Sequence, residues 1–269
     1  MMRVALIHQP YRPETGQCAR DAAGWLESQH CKSQLLSAFE LDRHDPTPFG
    51  LALSFGGDGT TLRTARWASG AGLPIVPVGM GTLSFLAELV PGQVEDSLGP
   101  YLAGDYWRDE RAMLHVQVEG SAPHRALNDV VVARGAALRA VSIELAVEGQ
   151  RVTRFTSDGV VVATATGSTA YALAAGGPVL APDLRDIVVV PIAGHLSAVR
   201  SLVLPESVEI ELRLVRTQPG VLSVDGQVDG DLPVDWPVSI RLATERTVFA
   251  RRGDRRAFYA HLTTRLRRD

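Results

Sequence analysis

The hydrophobic pattern of this chain changes character near residue 107, and one layer of secondary structure cannot accommodate both halves. Before that point, short apolar runs alternate with segments of helical period. RVALIH at 3–8, LALSF at 51–55 and PIVPVG at 74–79 read as buried strands. Thr15–Leu26, Gln34–Phe39, Thr60–Ala68 and Val94–Leu102 read as helices. Such alternation predicts an α/β layer with a parallel, Rossmann-like sheet. Beyond Trp107 come MLHVQVE, AVSIELAVEG, DGVVVAT, DIVVVPIA, VEIELRLV, PVSIRLA and TVFARR, rich in Val and Ile and separated by turns such as EGQ and DGQ. These predict a β-rich, sandwich-like domain with mostly antiparallel strands, interrupted by one helical insertion, STAYALAAGG. Phe258, Leu262 and Leu266 recur at helical spacing and predict a C-terminal helix packing back. The expected division is an α/β domain at 1–105 joined by a helix at about 252–269, with a β-rich domain at 106–251.

Composition narrows the chemistry. Lys32 is the sole lysine, and no G-x-x-x-x-G-K-[ST] stretch occurs, which excludes a Walker-type phosphate loop. Phosphate here has to be held by backbone N–H groups, arginines or a divalent cation. A net charge of −3 argues against bulk nucleic-acid binding. The longest apolar run, Ile187–Gly194, is far short of a membrane span, and the N-terminal run is too short for a signal-peptide core. A cytoplasmic protein without membrane or nucleic-acid partners is expected. Cys18 and Cys31 have no metal or redox spacing and read as free thiols.

Four stretches carry polar chemistry at the edges of apolar segments. In FGGDGTTL, Gly56 and Gly57 permit a sharp turn where a strand ends. Gly59 and Thr60 open a helix whose N–H groups suit phosphate. Asp58 sits between them as a negative charge. It can accept a proton from an attacking hydroxyl, position Mg²⁺, or act as an ordinary helix N-cap. In Thr156–Leu180, the residues Thr164, Thr166, Gly167, Ser168 and Thr169 place hydroxyls at a helix start, which serves either a ligand or simple capping. Asn128 and Asp129 open a strongly apolar strand; together they suit a ribose diol or base edge, or mark only a turn. Asp225-Gly226 reads as a hairpin turn.

Taken together, FGGDGTTL, GMGTLSFLAE, ALND, DGVVVATATGSTAYALAAGGP, PIAGHLSAVRSLVL and VDGQ resemble the NAD kinase family in order and spacing, over about two thirds of the chain, from Leu53 to Gln227. GGDGT alone is shared with lipid and sphingoid kinases; the TGSTAY segment with ALN-acid upstream separates the family from those. The resemblance implies an active site between the two domains. It implies transfer of the γ-phosphoryl group of ATP, or a phosphoryl group of polyphosphate, to the adenosine 2′-hydroxyl of NAD. A divalent cation, with Mg²⁺ expected, and a homodimer or homotetramer are implied as well. Asp58 is then the proton acceptor. Gly56, Gly57, Gly59, Thr60, Arg63 and Phe85 fall on nucleotide-binding positions, as do Asn128, Asp129, Arg139, Asp158, Thr166, Ser168 and Gln227. So does the run Thr169, Ala170, Tyr171, Ala172, Leu173 and Ala174.

Four positions depart from the family pattern. Asp129 stands where glutamate is common. Ala165 replaces the proline of T-P-T-G-S-T. Met80 and Ser84 break G-x-L-G-F-L. None removes a group with a chemical role, so an active enzyme is expected. A non-catalytic NAD(P)-binding sensor and a lipid or sphingoid kinase are the alternatives.

Overall fold

The computed structural model describes residues 2–81, 84–135, 140–194, 200–215, 219–256, 258–260 and 262. Its first elements are β1 (Arg3–His8), α1 (Pro13–Ser28), β2 (Lys32–Ser37), β3 (Leu51–Gly56), α2 (Asp58–Ser69), β4 (Pro74–Gly79), α3 (Val94–Leu102) and β5 (Trp107–Arg111). There follow β6 (Leu114–Val118), β7 (His124–Ala126), β8 (Asp129–Arg134), β9 (Val141–Val147), β10 (Gln150–Ser157) and β11 (Gly159–Ala163). After α4 (Tyr171–Ala174) come β12 (Ile187–Ile192), β13 (Leu202–Leu204), β14 (Ile210–Leu214), β15 (Gly220–Val224), β16 (Val228–Leu232), β17 (Pro237–Leu242) and β18 (Thr247–Arg251). The chain divides into two compact units, Met1–Glu110 with Arg246–Asp269, and Arg111–Glu245.

Among the described residues, the first unit holds a six-stranded sheet of order β2-β1-β3-β4-β18-β5. Strands β1 to β4 and β18 pair in parallel. Parallel strands need coverage on both faces, and β3 is buried along its whole length. Two features differ from the sequence reading. Gln34–Phe39 is not a helix: Lys32–Ser37 pairs residue for residue with Arg3–His8 as the edge strand β2. The TVFARR segment, read with the β-rich part, supplies β18, which lies beside β4 in the first sheet. Of the expected C-terminal helix, residues 258–260 and 262 are helical, with Phe258 and Leu262 half-buried; Leu266 lies outside the described residues.

The end of β18 locks this unit. Arg251 is 7% exposed and donates to the Leu86 carbonyl at 2.9 Å, to Glu88 at 3.2 Å and to Asp109 at 3.3 Å. Glu88 also accepts from the Tyr101 hydroxyl at 3.0 Å and the Arg252 amide at 2.8 Å. Burial and the neighbouring Glu88 push the Tyr101 phenol well up, so it stays a donor.

Among the described residues of the second unit, two six-stranded antiparallel sheets have the orders β10-β9-β14-β17-β6-β7 and β13-β12-β11-β8-β15-β16. Their inner faces share one core, in which Val116, Ile143 and Leu145 meet Val130, Val132, Val160 and Val162. The second sheet is covered on its other face too, where Val131, Val161, Val188 and Val190 pack against Ala172 and Leu180. This explains why β11 is an unbroken apolar run while β6 and β14 alternate. A sheet dry on both faces can gather polar groups only at its ends.

Removing the Arg251 guanidinium leaves two carboxylates buried without their cation. Arg251→Ala should therefore cost about 3 kcal/mol of stability in denaturant unfolding. Arg252→Ala, which breaks only the exposed pair with Asp105, should cost less than about 1 kcal/mol. Equal losses in the two variants would contradict a structural role for the buried cluster.

Candidate functional site

In the first unit the polar residues gather where β3 runs into α2. Gly56 ends the strand, and a Cβ placed there would lie 2.3 Å from Thr60 Oγ1, so only glycine allows the turn. Gly57, with extended backbone, is the helix N-cap, and Asp58 is the first helical residue. Asp58 is thus not an N-cap. Its carboxylate reaches across to the segment after β4 instead. Oδ1 accepts from the Ser84 hydroxyl at 2.6 Å and the Leu86 amide at 3.3 Å; Oδ2 accepts from the Phe85 amide at 2.9 Å.

The neighbours of Asp58 are placed less uniformly. The Thr60 amide, expected to face an anion, donates to the Gly57 carbonyl at 3.0 Å, and Thr60 itself is buried. Gly59 is exposed. Arg63 lies one turn further along α2, with its guanidinium 4.2 Å from the centre of the Phe39 ring, a cation–π contact at the end of β2.

In the second unit, three segments converge on one end of the doubly covered sheet. Asp129 opens β8 opposite Ala163, the last residue of β11, and Val224 at the end of β15 faces Val130. Asn128-Asp129, Thr164–Thr169 and Asp225–Gln227 therefore share that end. Gly167 packs directly on the chain at Asn128: a Cβ there would fall 2.0 Å from the Asn128 carbonyl oxygen. Thr164 completes the junction, donating its hydroxyl to the Leu127 carbonyl at 2.6 Å and accepting from the Gly167 amide at 3.1 Å.

The hydroxyl-rich stretch forms a 3₁₀ turn, Gly167–Thr169, followed by the single turn of α4, not one continuous helix. Ser168, expected to touch nucleotide, is fully buried. Its hydroxyl donates to the Ala165 carbonyl at 2.6 Å and accepts from the Leu180 amide at 2.9 Å, so it shapes the loop from within. Thr166 and Ala172 are buried as well. Thr169, Ala170 and Leu173 are half-buried, and Tyr171 and Ala174 are exposed. Asn128 and Gln227 are half-buried at the same sheet end. Asp158 is not brought to it. It precedes β11 at the opposite end, paired with Arg134 at 3.0 Å. Arg139 lies outside the described residues.

Sequence reasoning took Asp225 for a turn residue alone. It does sit in a tight turn, with Asp225 and Gly226 both at positive φ and the Gln227 amide bonded to the Val224 carbonyl at 3.0 Å. Yet its buried carboxylate also accepts from the amides of Leu127, Asn128 and Asp129 at 3.1, 2.7 and 3.2 Å. No motif spacing announces such a contact between residues almost a hundred positions apart.

Burial, and then the nearby Asp225 charge, push the Asp129 carboxyl up to about 7, although the Tyr171 amide opposes this by donating to it. The folded chain therefore holds a proton that the unfolded chain releases between about pH 4 and 7. Stability from this group is present at low pH and lost as pH rises through about 7. The melting-temperature advantage of wild type over Asp129→Asn should shrink between pH 5 and pH 7.5 and then level off. A difference independent of pH would contradict the assignment.

Comparison with known proteins agrees over the whole chain. The sequence model of the ATP-NAD kinase N-terminal domain matches residues 37–106, and that of the ATP-NAD kinase C-terminal domain matches residues 127–252. The NAD kinase of Chloroflexus aurantiacus is 36% identical over 99% of both chains. That of Syntrophotalea carbinolica is 37% identical over 92% of both. The fold is similar to that of yeast NADH kinase complexed with NADH (TM-score 0.88, 21% identity, 98% of this chain and 88% of that one). It is also similar to that of an Archaeoglobus fulgidus NAD kinase in complex with ATP (TM-score 0.80, 24% identity, 99% of both). With both halves of the family pattern present in order and a relative matched end to end, the chain belongs to the NAD kinase family.

Proposed function

We propose that this chain transfers the γ-phosphoryl group of ATP to the adenosine 2′-hydroxyl of NAD, with Asp58 as proton acceptor. The observation that carries the residue assignment is the Asp58 carboxylate, fixed at the carboxyl end of β3 by three donors from residues 84–86. Ligands of parallel sheets bind beyond such strand ends. An alcohol is a weak nucleophile at neutral pH and needs a proton acceptor within hydrogen-bond reach. As the 2′-oxygen bonds to the γ-phosphorus, its proton passes to Asp58, the bond from that phosphorus to the bridging oxygen breaks, and ADP leaves.

In this reading Asn128 and Asp129 recognise NAD, together with exposed or half-buried members of the Thr169–Ala174 stretch. Ser168 and Thr164 set the shape of that loop. The phosphoryl donor is ATP, with polyphosphate as the second donor to compare. Mg²⁺ would accompany the triphosphate and neutralise its charge; it needs only one or two protein carboxylates. The reading further includes a cytoplasmic location and a homodimer or homotetramer. Among the described residues, no helix is long and apolar enough to cross a membrane. The sensor and lipid-kinase alternatives gain nothing from relatives that are themselves NAD kinases.

The test supplies purified protein with NAD, Mg²⁺ and ATP or polyphosphate and detects NADP with an NADP-specific dehydrogenase. Asp58→Asn should lower turnover by about a hundredfold or more, assayed below the melting temperature of the variant, which should itself fall because an amide cannot accept from all three donors. Near-wild-type turnover in that variant would remove Asp58 from the role of base.

A further inference from the structure

The segment after β4 carries a hydroxyl where the family pattern has glycine, and that hydroxyl lies on Asp58. Ser84 Oγ is 2.6 Å from Asp58 Oδ1, within the range of a charge-assisted O–H···O⁻ bond. The same Oγ accepts from the Ala87 amide at 3.1 Å. That contact occupies one oxygen lone pair and turns the hydroxyl proton toward the carboxylate. With the Leu86 amide on Oδ1 and the Phe85 amide on Oδ2, three of the roughly four lone-pair sites of Asp58 are filled among the described residues. The remaining site is on Oδ2.

The segment is anchored independently of Ser84. The amides of Glu88 and Leu89 donate to the Pro77 carbonyl at 2.9 and 3.1 Å, and the Gly79 amide donates to the Leu89 carbonyl at 2.8 Å. Arg251 holds the Leu86 carbonyl from the other side. Removing the Ser84 hydroxyl leaves these anchors in place; it takes a donor from the Asp58 carboxylate and an acceptor from the Ala87 amide. Ser84 does not have positive φ, so alanine and threonine both fit its backbone.

We propose that Ser84 is a positioning residue for Asp58: its hydroxyl, held by the Ala87 amide, saturates Oδ1 and leaves Oδ2 as the oxygen that receives the 2′-hydroxyl proton. This rests on the assignment of Asp58 as base. A carboxylate held at both oxygens presents one acceptor site in one orientation, and orientation of this kind acts on the chemical step more than on binding. The departure from glycine thus adds a third donor to the catalytic carboxylate of this chain.

The experiment compares wild type, Ser84→Ala, Ser84→Thr and Asp58→Asn in the NADP-forming assay, with KM measured for NAD and for ATP and with melting temperatures. Ser84→Ala should lower kcat about tenfold to a hundredfold, the scale of one hydrogen bond to a charged group. Its KM values should stay within about twofold of wild type, since uniform binding is untouched. Ser84→Thr should restore most of kcat. The proposal is overturned if Ser84→Ala keeps wild-type kcat while Asp58→Asn is inactive. It is also overturned if Ser84→Ala loses kcat, both KM values and melting temperature together without rescue by threonine, which marks a purely structural role. If Asp58→Asn itself retains turnover, the base assignment fails first and this proposal falls with it.

Discussion

Where a strand stops, the backbone amides of the next segment lose their ladder partners, and in both units of this chain an aspartate takes them up. Asp58 gathers the amides of Phe85 and Leu86 with the Ser84 hydroxyl; Asp225 gathers the amides of Leu127, Asn128 and Asp129. A charged acceptor on a backbone N–H is among the stronger hydrogen bonds available to a protein. Each aspartate thereby adds a side-chain anchor to a segment beside a strand end. The rest of each site is arranged around that anchor: α2 and its glycine turn around Asp58, and the hydroxyl-rich loop around the strand end that Asp225 holds.

The two anchors differ in what they leave over. Asp225 is buried and lies beside a second buried acid, so its carboxylate serves the fold and tunes its neighbour. Asp58 is half-buried at the end of β3, on the side where parallel sheets take ligands, with an acceptor site remaining on Oδ2. The same interaction thus stiffens a buried strand end in one unit and orients a half-buried carboxylate in the other. Arg251 extends the second case, because the carbonyl it holds belongs to Leu86, whose amide is on Asp58.

The legible parts of this architecture were those encoded locally. The glycine turn after LALSF, the helix beginning beside Asp58 and the β-rich second half follow from spacing and composition, and the structure has each of them. The family pattern was equally legible, because its motifs recur in fixed order. What the sequence concealed depends on distant partners. KSQLLS has helix-tolerant residues and no clean alternation, and its pairing with β1 alone makes it a strand. TVFARR reads as a strand in isolation, but only its neighbour β4 decides which sheet it joins. Ser168 looks like a ligand-facing hydroxyl until the Leu180 amide is found on it. Ser84 looked like a mere break in a motif, although it makes the shortest of the three contacts to Asp58.

The substitution at Asp129 follows the same logic in the second unit. The Asp129 carboxyl is buried at the start of β8, inside the field of Asp225. There, burial and the neighbouring charge both disfavour ionisation, and Asp129 titrates near 7. A carboxyl shifted in this direction holds its proton to higher pH than a free aspartate does. The acid can donate a hydrogen bond to an acceptor on a ligand, and the carboxylate can accept from a ribose hydroxyl. That shift depends in part on Asp225 remaining where the turn at Gly226 holds it.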